Sequence, residues 1–279
     1  MMERRREVPP RASFEELEIR TSDSASLRAT IDEPTGPIRA TVVLAHALFA
    51  RRSSFGGTAA ALAARGYRVI AFDFRAHGGS AARATGYDLL VESDWPTVVQ
   101  CARDRADGKP VIAVGHSLGA HTALASQGRG LLAADGIVSI GGAPWIRSAE
   151  GSLGKWLAKR GILRTMTEVA RRKGRYPARA LRTSSDDESL DMMEDLNRFA
   201  EQSWSSRGGV DYLAALAKVR VPVVSLAGGR DRICTPANAA AFVSGCGGAV
   251  TYLVIEGAAH MKLAKLDGPI ASAIDHVLG

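Results

Sequence analysis

The sequence predicts an α/β protein: an eight-stranded, mostly parallel sheet with helices on both faces, carrying a helical insertion after the sixth strand. Three observations lead there. Short β-branched and aliphatic runs alternate with longer helix-like stretches, the pattern of parallel strands joined by crossover helices. The chain has 279 residues, 46% of them hydrophobic; area scaling at that size buries roughly 70% of the unfolded surface, enough for one large core. Residues 145–212 then break the alternation with a stretch rich in Arg, Lys, Leu, Ala and Met.

Phe14–Arg20 and Leu27–Ile31 alternate in polarity and read as an opening antiparallel pair. The next strands are Thr41–Leu44, Arg68–Phe72, Pro110–Val114, Gly136–Ile140, Pro222–Leu226 and Thr251–Ile255. Between them lie helix candidates at Ser54–Arg65, Leu89–Ala106, Leu118–Gln127, Pro236–Ser244 and His260–Leu278. Pro222 opens its strand, where a missing N–H does no harm. The chain therefore divides into core residues 1–144, an all-helical insertion at 145–212, and core residues 213–279. Apolar faces for that insertion come from Trp156, Leu157, Ile162, Leu163, Met192, Met193, Leu196 and Phe199.

Composition excludes intrinsic disorder, collagen-like repeats and a small disulfide scaffold. The 36 Lys and Arg against 29 Asp and Glu give a formal charge of +7. That excess is segregated: residues 145–182 hold eleven basic and two acidic residues, residues 183–201 seven acidic and one basic. Such arms can pair with one another, or the basic one can draw anionic substrates or membrane surfaces. No nucleic-acid recognition motif or aromatic stacking pattern accompanies the charge, so no nucleic-acid partner is expected. No apolar run approaches the ~20 residues of a membrane span. Residues 1–12 read as a charged, frayed lead-in without the apolar region of a secretory signal. Cys101, Cys234 and Cys246 are odd in number and widely spaced, which fits a reduced, cytoplasmic setting. Oligomeric state is not legible.

The strongest local signal is Gly115-His116-Ser117-Leu118-Gly119, directly after a strand and directly before a helix. So sharp a strand-to-helix turn strains its apex and crowds the flanking positions, which must be small. Ser117 is then exposed at the carboxyl edge of the sheet. A serine hydroxyl is a weak nucleophile and needs a base, and the base needs an orienting acid. His116 flanks the nucleophile and points away, His121 faces packing or the neighbouring strand, and His276 lies in the last helix. His260, in the loop after the final strand, is placed to reach Ser117. After the seventh strand the chain reads Gly229-Arg230-Asp231-Arg232, and Asp231 fits the acid; Glu256 is a distant competitor.

The chain order Ser117, Asp231, His260 and the glycine-flanked serine resemble serine hydrolases of the α/β-hydrolase fold superfamily, over nearly the whole chain outside 145–212. The resemblance implies that His46-Ala47-Leu48-Phe49 is the oxyanion loop, with the backbone N–H groups of Leu48 and Leu118 as donors; Ala47 replaces the family glycine. It implies that Asp73-Phe74-Arg75-Ala76-His77-Gly78-Gly79-Ser80 is a structural loop, and that His46 fixes a loop rather than moving protons. It also places 145–212 where the family carries a cap, with Phe49, Trp145, Trp156, Met192, Met193, Phe199 and Trp204 as candidate pocket residues.

The expected chemistry is acyl transfer through a Ser117 acyl-enzyme, with a small-molecule carboxylic ester or thioester as substrate and no cofactor. No P-loop, dinucleotide fingerprint or metal-ligand spacing occurs. Other activities of the same fold (C–C hydrolase, lyase, perhydrolase) and a non-catalytic binding member stay open, because fold does not fix substrate.

Overall fold

The computed structural model describes residues 14–279; the charged lead-in expected over residues 1–12 lies outside them. The amino-terminal half runs β1 (Phe14–Arg20), β2 (Ser26–Asp32), β3 (Ala40–Ala45), α1 (Thr58–Ala63), β4 (Tyr67–Phe72), α2 (Tyr87–Leu89), α3 (Trp95–Asp104), β5 (Val111–His116), α4 (Leu118–Gly128) and β6 (Gly136–Ile140). The insertion follows as α5 (Leu153–Lys173), β7 (Arg175–Tyr176), β8 (Glu188–Ser189) and α6 (Leu190–Glu201). The chain closes with α7 (Tyr212–Ala215), β9 (Val223–Gly228), α8 (Pro236–Val243), β10 (Val250–Ile255), α9 (His260–Leu263) and α10 (Asp267–Leu278).

The eight core strands form one sheet in the order β1-β2-β4-β3-β5-β6-β9-β10. β1 and β4 run antiparallel to β2, and the remaining neighbours are parallel. The central strands β3, β5, β6 and β9 are buried at every position. Helices cover both of their faces, so continuous Val, Ile, Leu and Ala runs replace the alternation seen in β1. On one face Trp95, Val98, Val99 and Leu124 pack α3 and α4 onto the sheet. On the other, Leu62, Ile270 and Ile274 pack α1 and α10. Parallel register brings Gly115 of β5 opposite Ala45 of β3, and Gly228 of β9 opposite Ile255 of β10. The loops after all these strands therefore emerge along one edge, at the crevice where ligands bind in open α/β sheets.

Several expected boundaries move. The helix expected over Ser54–Arg65 is a 3₁₀ turn at Arg52–Phe55 followed by α1, since Gly56 sits between them at φ 59° and ends the first turn. The helix expected over His260–Leu278 splits into α9 and α10, because Pro269 has no N–H to give and its ring clashes with the carbonyl four residues back. α2 and α3 join through a π turn at Leu90–Asp94. The insertion is not all helical: β7 and β8 form a short antiparallel pair. Its long helix α5 is capped by Ser152, whose hydroxyl accepts from the Lys155 N–H, and ends at left-handed Gly174 behind Arg171, Arg172 and Lys173. Those cations suit the negative end of the helix dipole.

Candidate active site

Ser117 stands between β5 and α4 at φ 52°, ψ −109°, a conformation that costs a residue with a β-carbon about 1–3 kcal/mol. The surrounding packing holds it there. Its N–H donates to Ile140 O of β6 (2.8 Å), and the Gly119 N–H donates to His46 O after β3 (3.2 Å). A β-carbon on Gly115 would lie 2.3 Å from Ala120 N, and one on Gly119 would lie 2.4 Å from Ala45 O. Both contacts are with backbone, so neither position admits a side chain.

His260 opens α9, 6% exposed. Its Nδ1 donates to Asp231 Oδ2 across 2.6 Å. The other oxygen of Asp231 accepts from the N–H groups of Ile233 and Cys234 at 2.8 and 2.9 Å. Both carboxylate oxygens are thus committed, and the Asp231 loop is fixed downstream by the Thr235–Asn238 capping box of α8. With Nδ1 bound, the free ring nitrogen of His260 is Nε2. His260 and Ser117 line the same cavity, of about 630 Å³. No hydrogen bond joins the Ser117 hydroxyl to the ring, a common state of such pairs before substrate arrives.

Two residues that sequence reasoning did not assign to the site support this dyad. Gly141, just past β6, has φ 55°, and a β-carbon there would sit 3.2 Å from His260 Nδ1 and 3.4 Å from Asp231 Oδ2. Its glycine is the room in which the ring and carboxylate meet. His116, fully buried, lies with its Nε2 3.1 Å from His260 O. A carbonyl only accepts, so Nε2 carries the proton and the imidazole pins the His260 backbone. Burial, and then the neighbouring His260, push the His116 pKa down to about 3, so it stays neutral across the working pH range. The Gly141-Gly142 pair in the sequence was the available signal for the first; nothing flagged the second.

The loop after β3, expected to hold the oxyanion, lines the same cavity through Ala47, Leu48 and Phe49. Leu118 opens α4, where an N–H has no intrahelical partner. The left-handed residue in the loop is Phe49, at φ 60°, and Ala47 does not have a positive φ, so the alanine in place of the family glycine carries no such strain. His46 lies behind the loop, donating from Nδ1 to Ala47 O (2.8 Å) and accepting the Phe74 N–H at Nε2 (3.1 Å). Burial, then the nearby His77, holds its pKa well below the usual range.

The Asp73–Ser80 loop is structural. Asp73 accepts the Arg52 N–H and pairs with the Arg52 guanidinium, while buried Arg75 pairs with Asp94 and Asp23 at 2.6 and 2.7 Å. His77 contacts Glu188 of β8 at 3.0 Å.

Of the expected pocket residues, Phe49, Trp145 and Phe199 line the cavity. Trp156, Met192, Met193 and Trp204 do not. Trp156 borders a small side crevice, with the Arg160 guanidinium over its ring. Met192 and Met193 are buried in the core beneath α6, and Trp204 is buried against Tyr87. Their helical face was legible, but whether it meets solid core or cavity depends on what stands opposite. Leu163 and Met166 of α5 and Leu196 of α6 supply the cavity wall instead. His121, expected to face packing, also lines it.

The sequence model of the family described as "Serine aminopeptidase, S33" matches residues 36–267. None of the curated proteins matches the chain in sequence. Among solved structures, an esterase of Pyrococcus furiosus superposes at a TM-score of 0.64 with 18% identity, over 96% of this chain and 94% of its own. The esterase domain of a Rhodothermus marinus protein gives 0.63 and 18% over 96% and 100%. An N-formylmaleamic acid deformylase of Pseudomonas putida gives 0.59 and 18% over 93% and 100%. At such identities these likenesses show the fold alone. The chain belongs to the serine aminopeptidase S33 family of α/β-hydrolases.

Proposed function

We propose that this hydrolase cleaves a carboxylic ester or thioester through an acyl-enzyme on Ser117. The observation that carries the reading is the Asp231–His260 pair, which leaves Nε2 as the imidazole's free nitrogen beside the cavity that Ser117 also lines. In this reading His260 Nε2 takes the Ser117 proton as Oγ attacks the acyl carbon. Asp231 holds the tautomer and stabilises the imidazolium that forms. The N–H groups of Leu48 and Leu118 receive the oxyanion, a contribution of roughly 3 kcal/mol each to the barrier by analogy with known donors. His260 then returns the proton to the leaving alcohol or thiol, and water repeats the attack on the acyl-enzyme.

The volume and the mostly apolar wall favour a medium-sized acyl or alkyl group. Helices α5 and α6 of the insertion form part of that wall. The insertion thus acts as a cap that keeps bulk water from the acyl-enzyme. Esterases among the structural neighbours support the bond type, while the deformylase keeps amide cleavage as a second reading.

Labelling with a fluorophosphonate probe tests the nucleophile. Wild type takes the label, and Ser117→Ala takes none and loses at least about 10⁴-fold in kcat on aryl esters. His260→Ala loses as much, and Asp231→Asn less. A folded wild type that takes no label, or a Ser117→Ala variant at wild-type rate, overturns the assignment. Matched aryl esters, thioesters and anilides then rank the bond types.

A further inference from the structure

His121 is a polar group in the cavity that acyl transfer leaves unused. It lies one turn beyond Ser117 on α4, its N–H donating to Ser117 O, and its side chain is buried to 5% exposure while lining the cavity. The ring stacks on Tyr87 at 5.5 Å and 11°. The Tyr87 hydroxyl lies 2.7 Å from His121 Nδ1 and 3.0 Å from Trp204 Nε1. An indole N–H only donates, so the Tyr87 oxygen accepts from Trp204. Tyr87 is fully buried, and the acceptor left for its own proton is His121 Nδ1. That nitrogen therefore presents its lone pair.

Burial pushes the His121 pKa down to about 3, so near neutral pH the ring holds one proton, on Nε2. Among the described residues Nε2 has no hydrogen-bond partner, yet it is not among the buried polar atoms sealed from solvent. For a residue so enclosed, the opening is the cavity. An imidazole N–H that opens onto a cavity is a ready donor for an acceptor oxygen that a ligand brings. Other polar side chains also line the cavity, among them Ser54, whose buried hydroxyl has no hydrogen-bond partner among the described residues. The hydroxyls of Ser184 and Ser185 donate to Phe49 O, and the α5 and α6 walls present Leu163, Met166, Leu196 and Phe199.

We propose that His121 Nε2–H is a specificity-determining donor, selecting substrates whose chain carries an acceptor oxygen (keto, ether or hydroxyl) about one helical turn from the scissile carbonyl. The proposal rests on the acyl-transfer reading of Ser117. One turn is roughly 5.4 Å, so the favoured oxygen sits about four to six bonds along the chain. A purely structural histidine, serving only to anchor Tyr87, imposes no such preference.

Two measurements test it. In ¹⁵N-histidine-labelled wild type, long-range ¹H–¹⁵N correlation at pH 7 shows His121 as the neutral Nε2–H tautomer; an Nδ1–H tautomer or an imidazolium overturns the proposal. In kinetics, matched aryl heptanoates are compared plain and with an oxo group at C4, C5 or C6. Wild type prefers at least one oxo ester about tenfold in kcat/KM. His121→Leu brings that ratio to about one, and His121→Gln, whose amide restores a donor at the Nε2 position, recovers a preference. No preference in wild type, or an unchanged ratio in His121→Leu, overturns it. Retained fluorophosphonate labelling shows that the variants fold. Absence of label on wild type counts against the acyl-transfer reading, and the tautomer measurement still decides the state of His121.

Discussion

The six histidines of this chain are sorted by what surrounds each ring rather than by their distance in sequence from Ser117. His116 and His121 are both buried and both held neutral, with pKa values pushed to about 3, yet one grips a backbone carbonyl and the other opens onto the cavity. His260 is the one whose ring meets a carboxylate held by two backbone N–H groups. That meeting requires Gly141. Replacing it with alanine puts a β-carbon 3.2 Å from the imidazole and forces a side chain into a left-handed backbone, costing about 1 kcal/mol. Gly141→Ala is expected to stay folded by circular dichroism but to lose about a hundredfold in kcat/KM on an aryl ester, since displacements near 1 Å are that costly. An activity within threefold of wild type contradicts this role. Ser117, Asp231 and His260 stood out in the sequence as candidate nucleophile, acid and base because they follow strand ends in a recognisable order, and the fold joins Asp231 to His260 and sets His260 and Ser117 on one cavity. Gly141 and His116 were not, because their importance comes from atoms brought in from distant strands.

Elements of the insertion anchor to the core through charge as well as apolar packing. β8 presents Glu188 to His77, with both side chains 2% exposed. Burial alone lowers the His77 pKa, but the Glu188 carboxylate outweighs it and raises the group from 6.5 to about 9. A raised folded pKa means the imidazolium form is the stabilised one. The contribution is complete below about pH 6.5 and is lost as pH climbs through about 9. Its size is on the order of 3 kcal/mol. Wild-type Tm is therefore expected to fall between pH 7 and 10 more steeply than that of Glu188→Gln, and equal slopes in thermal melts rule the pair out as a pH-dependent tether. The sequence grouped His77 with a structural loop but offered no sign of its partner, 111 residues away. It likewise read one helix from His260 to Leu278, where Pro269 breaks the hydrogen-bond ladder and frees His260 to begin a separate short turn.

Across the whole molecule, the segregated charge of the insertion resolves into attachment. Some basic residues of α5 do meet the acidic stretch, as in Arg171–Glu194 and Arg160–Glu201, but these are partly exposed pairs of little energetic weight. The buried acids turn instead toward the core. Asp186 accepts two bonds from Arg51 and one from the Gly78 N–H, while its own N–H donates to Phe49 O. Through Phe49 this places the insertion in direct contact with the loop after β3 that lines the cavity. Asp186→Ala should cost about 2 kcal/mol locally, speed limited proteolysis between residues 174 and 189, and lower kcat on short esters. Unchanged proteolysis and unchanged kcat together show that the insertion is held by its apolar packing alone.

Taken alone, the sequence determined the sheet and singled out the candidate residues at its edge. Hydrophobic runs of strand length, a glycine-flanked serine and a fixed chain order are local or sequential patterns, and the backbone sterics and acid–base requirements behind them act at that range. The tertiary structure decided which faces of the insertion meet solid core and which meet open cavity. It turned Met192 and Met193 inward, put Leu163 and Met166 on the wall, and set His121 on the lining of the cavity that Ser117 shares. Those outcomes depend on which surfaces lie opposite one another, and a one-dimensional pattern carries no record of what stands across a gap.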